Sequence, residues 1–84
     1  MKLKKRFVLR KLGETYCAIC TDDKTLIPLN PSGYLIFSRL LTETTEGELV
    51  DAILEVFDVS REVAEIDVRK FLQMLREKKL ITRR

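Results

Sequence analysis

The sequence predicts a small α+β domain, in which a three-stranded antiparallel meander is followed by three helices in a winged helix-turn-helix-like arrangement. Up to residue 30, short runs of alternating apolar and polar residues are separated by turn formers, as in exposed strands. Beyond residue 30, apolar residues recur at helical spacing behind three helix-start signals. The length of 84 residues predicts a single domain, 1–84, with basic tails at about 1–5 and 82–84.

The strands are predicted from residue type and from the turns between them. The run RFVLRKL interleaves charges with β-branched and aromatic residues, and Gly13-Glu14 then forms a short turn. TYCAIC, residues 15–20, is the second strand, and the turn-forming TDDK leads to the third, TLIPLN at 25–30. Because both connections are short, the third strand should lie at an edge of the sheet.

Each helix begins at a recognisable cap. Asn30 followed by Pro31 starts helix one at 31–42. Thr45 with Glu48 fits a capping box for helix two, which runs to Phe57, and Ser60 caps helix three at about 61–79. The residues expected to face the core are Leu35, Ile36, Phe37, Leu40 and Leu41; Leu49, Ile53, Val56 and Phe57; Val63 or Ala64, Val68, Phe71, Leu72 and Leu75; and, beyond the helices, Leu80 and Ile81.

The spacing of Cys17 and Cys20 is that of a redox centre or half of a zinc site. In a strand, however, their side chains point to opposite faces and their Cα atoms lie ~10 Å apart. A disulfide needs a Cα separation below about 7 Å, and the two thiols cannot share one metal ion across the sheet. We therefore interpret both cysteines as buried structural residues and expect neither a metal nor another cofactor.

The composition argues against an enzyme and against a membrane protein. The chain has no histidine, no Gly-rich phosphate loop and no nucleophile motif, and its carboxylate pairs lie in a turn or on an acidic helix face. It has neither a secretion signal nor an apolar run of about 20 residues, so we expect a cytoplasmic protein without a membrane partner.

Charge is segregated along the chain. Residues 1–11 carry six basic groups and no acid, and residues 76–84 carry five basic groups, whereas 12–75 holds twelve acids and five bases. The basic ends are either solvated, frayed tails or an electrostatic attraction for an acidic peptide or for nucleic acid.

A winged helix also suggests the alternative interpretation, a DNA-binding or protein-interaction module. Helix three offers several basic residues, but its first half carries Glu62, Glu65 and Asp67 where a DNA-reading helix usually touches bases. Acidic groups there would repel phosphates, so we do not expect nucleic acid as the partner.

The third strand, at the edge of the sheet, is the remaining candidate for a functional surface. Its unpaired backbone groups are either blunted by Pro28 or serve as a rail on which an extended peptide adds a strand. If Pro28 faces outward, a guest can still bond to Leu26 and to the Pro28 carbonyl; if it faces inward, Ile27 meets the guest. An open edge could also support a homodimer.

The ordered set of motifs resembles the PqqD-like family, the precursor-peptide recognition elements of ribosomally made, modified peptides. The resemblance rests on LIPLN, GYLIFSRL, TTEGELVDAILEVFDVS and VAEIDVRKFLQMLREKKLI, and covers about 7–82. It implies a non-catalytic adaptor that binds the leader of a precursor peptide against strand three. The adaptor then presents the precursor to a maturation enzyme, a radical S-adenosylmethionine enzyme or a leader protease.

The resemblance also implies the residues of the site. The edge would be Thr25, Leu26, Ile27, Pro28 and Leu29, and the facing side of helix three would be Asp67, Lys70, Phe71, Met74, Leu75 and Lys78. By burial habit, Phe71, Leu75 and Leu29 are more typical of core, while Lys70 and Lys78 are typical of solvated surface.

Overall fold

The computed structural model describes residues 1–81 and has the predicted α+β architecture. An antiparallel sheet of three strands, in the order β1-β2-β3, precedes three helices. The predicted tail at 82–84 lies outside the described residues. The elements are β1 (Phe7–Leu12), β2 (Thr15–Cys20), β3 (Leu26–Leu29), α1 (Pro31–Arg39), α2 (Glu46–Val56) and α3 (Arg61–Glu77).

The sheet turns one face to the helices. Its buried residues on that face are Phe7, Ala18, Cys20 and Ile27, which belong to the core cluster. The β1–β2 turn uses Gly13 at φ +64°, a conformation that other residues adopt with strain. Because β2 is central, β1 and β3 are the two edges of the sheet.

All three helix starts are capped as the sequence predicts. The Asn30 side chain accepts a 2.7 Å hydrogen bond from the Gly33 amide, with Pro31 in the first turn. Thr45 and Glu48 form the reciprocal capping box at 3.0 and 3.2 Å. Ser60 accepts from the Val63 amide at 3.2 Å. These bonds satisfy backbone donors that a helix leaves free at its N-terminus.

An aromatic chain through the core joins the sheet to the helices. Phe37 of α1 is fully buried and meets Phe7 of β1 edge-on, with ring centroids 5.0 Å apart. On its other side Phe37 meets Phe71 of α3 at 6.5 Å. Edge-to-face pairs of this kind add to the stability that burial provides. Phe37 of α1 thus contacts both the sheet and α3.

Several helix ends and faces differ from the prediction. Helices α1 and α3 end at Arg39 and Glu77, earlier than expected. Leu41 was expected to face the core, but it lies beyond the end of α1 and is 45% exposed. Val56, also expected to face the core, is 61% exposed in the last turn of α2, where Phe57 packs on the core instead. Of the two residues left open on α3, Ala64 is the buried one, with 0% exposure.

Residues 1–5, predicted as a basic tail that is either frayed or attracts a ligand, are bonded to the rest of the domain and not frayed. Leu3 is buried and forms an isolated β-bridge with Ile81. The Leu3 amide donates to the Leu40 carbonyl and the Lys4 amide to the Leu80 carbonyl, both at 2.9 Å. The apolar side chains of Met1 and Leu3 supply the physical reason, since their burial outweighs the solvation of the neighbouring lysines.

Candidate functional site

The register of the sheet decides which way Pro28 faces. Pro28 lies opposite Cys17, and Leu26 lies opposite Ile19. The Cys20 amide donates to the Thr25 carbonyl at 2.8 Å, so this pair is a hydrogen-bonded one. Because bonded and non-bonded pairs alternate along an antiparallel ladder, Leu26 and Pro28 both occupy non-bonded positions towards β2.

The outer edge of β3 consequently carries three usable backbone groups. The N–H and C=O of Leu26 and the C=O of Pro28 point away from β2. Pro28 removes no bond from the ladder with β2, since its nitrogen also faces outward. Of the two orientations that the sequence leaves open, the structure has the outward one, in which a guest strand can bond at Leu26 and at the Pro28 carbonyl.

A groove runs beside this edge, between β3 and α3. One cavity of about 300 Å³ lies at the start of β3, and a second of about 290 Å³ lies beyond its end, beside the middle of α3. The start of β3 lies beside the C-terminal end of α3, and the end of β3 lies beside the middle of α3, so the strand and the helix run in opposite directions along the groove. The first cavity is lined by Lys5, Phe7, Cys20, Asp23, Thr25, Leu26, Ile27, Lys78 and Leu80, and the second by Asn30, Ser32, Ile36, Asp67, Lys70, Phe71 and Met74.

The site residues that the resemblance implies fall into accessible and buried groups. Phe71 and Met74 are half-buried and face the second cavity, while Lys70 and Asp67 are exposed on its rim. Leu75 has 0% exposure and supports the groove from within the core. Thr25, Leu26, Ile27 and Lys78 line the first cavity, whereas Pro28 is exposed and Leu29 half-buried outside both cavities.

Gly33 shapes the candidate site through its contact with Phe71, although the sequence does not predict this role. A Cβ atom on Gly33 would lie 2.9 Å from Cε1 of Phe71 and 2.9 Å from Oδ1 of Asn30. The absence of a side chain therefore lets Phe71 settle against the start of α1 and form one wall of the second cavity. The sequence does show a glycine in the first turn of α1, after the helix-start signal Asn30-Pro31. Its contact with Phe71 of α3 depends on tertiary packing, which the local sequence does not reveal.

Lys5 and Leu80 were also missed as lining residues of the first cavity. Leu80 was expected only to close on the core, which it does at 6% exposure. The sequence places Lys5 in the basic tail, and only the anchoring of residues 1–5 brings it to the groove. Both reach the site through contacts that are distant in sequence, so no local pattern marks them.

The turn before β3 is held by Asp23. Its carboxylate accepts a 3.0 Å hydrogen bond from the Thr25 amide and lies 3.2 Å from Nζ of Lys5. The bond from the Thr25 backbone is the main cause that holds the pKa of Asp23 well below its usual range. This carboxylate fixes the point at which the edge strand begins.

The two cysteines lie as the strand geometry predicts. Both are free and buried, and β2 spans 15–20 without a break. Cys20 belongs to the core cluster, while Cys17, three residues earlier on the strand, points to the opposite face. Within residues 1–81, no three His, Cys, Asp or Glu side chains are grouped to hold a metal ion.

A further cavity of about 310 Å³ has an acidic border and lies between the end of α1 and α2. It is bordered by Glu43, Glu48, Asp51 and Glu55, with Arg39 as its one base. Of these, Glu48 is committed to the cap of α2, and Asp51 pairs with Arg61 at 3.0 Å.

In the described part of the chain, no helix combines the length and the apolar character needed to cross a bilayer.

Two solved structures share this fold. The first, described as TbiB1 in complex with the TbiA(beta) leader peptide, is 28% identical, with a TM-score of 0.78 over 100% of this chain and 99% of that one. The second, a lasso peptide synthetase B1 complexed with the leader peptide, is 18% identical, with a TM-score of 0.73 over 98% and 96%. At that identity the second likeness bears on the fold alone. No curated protein sequence matches the chain significantly.

A family model gives the assignment. The model described as coenzyme PQQ synthesis protein D (PqqD) matches residues 17–81, which include β2 from Cys17 onward, β3 and all three helices. This range contains the whole of the β3 edge and the side of α3 that faces it. Since the match covers most of the chain, this protein belongs to the PqqD family.

Proposed function

We propose that this protein is a non-catalytic adaptor that binds the leader segment of a ribosomally made precursor peptide. The leader adds as a fourth strand to the free edge of β3 and lays its side chains in the groove beside α3. The open edge next to that groove is the observation that carries the proposal. Membership of the PqqD family and the 28%-identical fold solved with a leader peptide support it.

Backbone bonding supplies the sequence-independent part of the affinity. A guest residue opposite Leu26 exchanges two hydrogen bonds with it, and a guest amide donates to the Pro28 carbonyl. Each such bond contributes about 0.5–1.5 kcal/mol net of water. Three bonds alone give weak binding, so the side chains must provide the remainder and the selectivity.

The groove supplies that remainder. Alternate side chains of an added strand point to the same face as Ile27 and Leu29, towards the core side of the sheet. There they meet the first cavity with Leu80 at its floor and the second with Phe71 and Met74. Burying one apolar guest side chain in each cavity is worth about 1.5–3 kcal/mol per residue.

The adaptor presents the bound precursor to a maturation enzyme, a radical S-adenosylmethionine enzyme or a leader protease, in the cytoplasm. The chain supplies binding, and its partner supplies the chemistry. The arrangement of polar groups supports this division, because Thr44 is the one buried polar side chain among residues 1–81. A catalytic general acid or base is usually a titratable group in a pocket that adjusts its pKa towards the working pH.

The proposal is tested by titrating isotope-labelled protein with the leader of the precursor encoded beside its gene. We expect chemical-shift changes at residues 24–29 and 67–78, with new cross-strand contacts between guest α-protons and β3. Residues of β1 serve as the internal control. Binding that shifts only the basic termini, and leaves 24–29 and 67–78 unmoved, would reject strand addition.

A further inference from the structure

We propose that the leader carries acidic residues next to the segment that adds to β3, and that a basic surface at the start of β3 receives them. This basic surface is formed by Lys4, Lys5, Arg76, Lys78 and Lys79. The inference rests on the proposed function, since it names the chemistry of the same ligand. It is based on the clustering of these five basic residues beside the groove, since binding of apolar guest side chains in the groove does not require them.

The basic surface is continuous with the groove. Lys5 lines both the first groove cavity and a cavity of about 650 Å³ formed by the N-terminal segment. Lys4 lines that cavity and a further one of about 350 Å³, which it shares with Arg76 and Lys79. A peptide that leaves the β3 edge past Thr25 therefore moves directly onto cationic side chains.

The backbone that bears these charges is fixed. The Lys4 amide is bonded to the Leu80 carbonyl, and the Lys79 amide donates to the Arg76 carbonyl at 2.9 Å. The neighbouring Ile81 is 2% exposed. An anchored array loses less conformational entropy on binding than a frayed tail does, so its charges favour one ligand position.

The charges are also available to a ligand. Among residues 1–81, neither Lys4 nor Arg76, Lys78 or Lys79 has an ion-pair partner, and Lys5 shares Asp23. The acidic cavity beside α2 lies elsewhere on the molecule. The resulting field attracts an acidic segment to one end of the groove and repels it from the α2 side.

An acidic peptide fits this surface better than a nucleic acid does. The adjoining groove has the apolar floor of Phe7, Ile27 and Leu80, which suits side chains of an extended peptide. A duplex that covers the groove as well as the basic surface would bring phosphates against the Asp67 carboxylate on the rim of the second cavity, whereas the acidic residues of the leader lie at the other end, past Thr25. Duplex DNA is accordingly the competing outcome in the test.

The test reverses charge on full-length protein and measures affinity for the leader encoded beside its gene. The double variant Lys4→Glu/Lys79→Glu is compared with Arg10→Glu/Lys11→Glu, which changes net charge equally on exposed positions of β1. We expect about tenfold weaker binding for the first and less than about twofold change for the second. Wild-type affinity should fall as salt rises from about 0.05 to 0.3 M, with a shallower slope for the first variant.

The outcomes separate this inference from the proposed function. A leader that shifts 24–29 normally but binds both variants equally would overturn the inference and leave strand addition intact. Shifts absent from 24–29 in wild-type protein would overturn both. A short poly-glutamate peptide should shift residues 4–6 and 76–81, whereas tighter binding of random duplex DNA than of the leader at about 0.15 M salt would also overturn the inference.

Discussion

The two edges of the sheet offer the same backbone chemistry but differ in what surrounds them. On β1, the groups that point outward belong to Phe7, Leu9 and Lys11, because the Thr21 amide bonds to the Arg6 carbonyl and sets the alternation. That edge carries exposed Arg10 and Lys11, and neither borders a cavity of the groove between β3 and α3. On β3, a helix faces the edge across a groove.

The difference indicates that an unpaired strand edge invites non-specific pairing with other chains unless neighbouring side chains select one partner. Charged residues such as those on β1 are a common means of discouraging strand addition. At β3 a single proline removes one amide, and the adjoining groove offers the side-chain contacts that the proposed guest needs. The predictions below separate these two contributions, beginning with the groove.

The largest effect should come from filling the groove. Met74→Arg places a cation and a longer side chain in the second cavity and removes an apolar contact for the guest. We expect leader affinity to fall about 10- to 100-fold, which corresponds to one lost apolar burial. Isothermal titration calorimetry gives the measurement. The β1-edge variant Leu12→Arg, at a residue 69% exposed, should bind as wild type does.

A smaller loss should follow from moving the groove wall. Gly33→Ala forces Phe71 or Asn30 to shift, because both lie 2.9 Å from the added carbon. Overpacking of this kind destabilises by about 1–3 kcal/mol, and we expect a several-fold loss of leader affinity with it. Urea unfolding and calorimetry measure the two effects. Gly47→Ala, whose Cβ would meet only Thr45 Oγ1 at 4.0 Å, should be neutral or stabilising.

Restoring the missing amide should strengthen the edge. Pro28→Val adds an N–H that points away from β2, so a guest carbonyl gains a donor and affinity should rise about 2- to 10-fold. The same change should increase self-association, which analytical ultracentrifugation detects. Leu26→Pro is the opposite variant and should weaken binding by removing the one outward amide of the strand. Weaker binding by Pro28→Val would contradict the register.

The turn before β3 gives the smallest effect. Since the pKa of Asp23 is lowered in the fold, its contribution to stability is present above its ordinary value of 3.8 and is lost as pH falls through the lowered folded value. In Asp23→Asn this part of the pH dependence should vanish. Carboxyl chemical shifts followed between pH 5 and 1 provide the check, and an ordinary titration midpoint for Asp23 would be inconsistent with its bond to Thr25.

The sequence predicts the elements well because their signals are local. The strand at 15–20 and the caps at Asn30, Thr45 and Ser60 follow from alternation and from side-chain bonding over three residues. The orientation of Pro28 could not be predicted, since it depends on register with β2. The anchoring of Leu3 and the contact between Gly33 and Phe71 also depend on partners distant in sequence.

The central claim is that the outward groups of β3 accept a guest backbone, and amide hydrogen exchange at Leu26 tests it most directly. In the free protein this amide has no partner in the ladder and should exchange quickly. With the leader bound we predict strong slowing at Leu26 and none at Leu9 and Lys11 on the β1 edge. An unchanged exchange rate at Leu26 under saturating leader would contradict strand addition at β3.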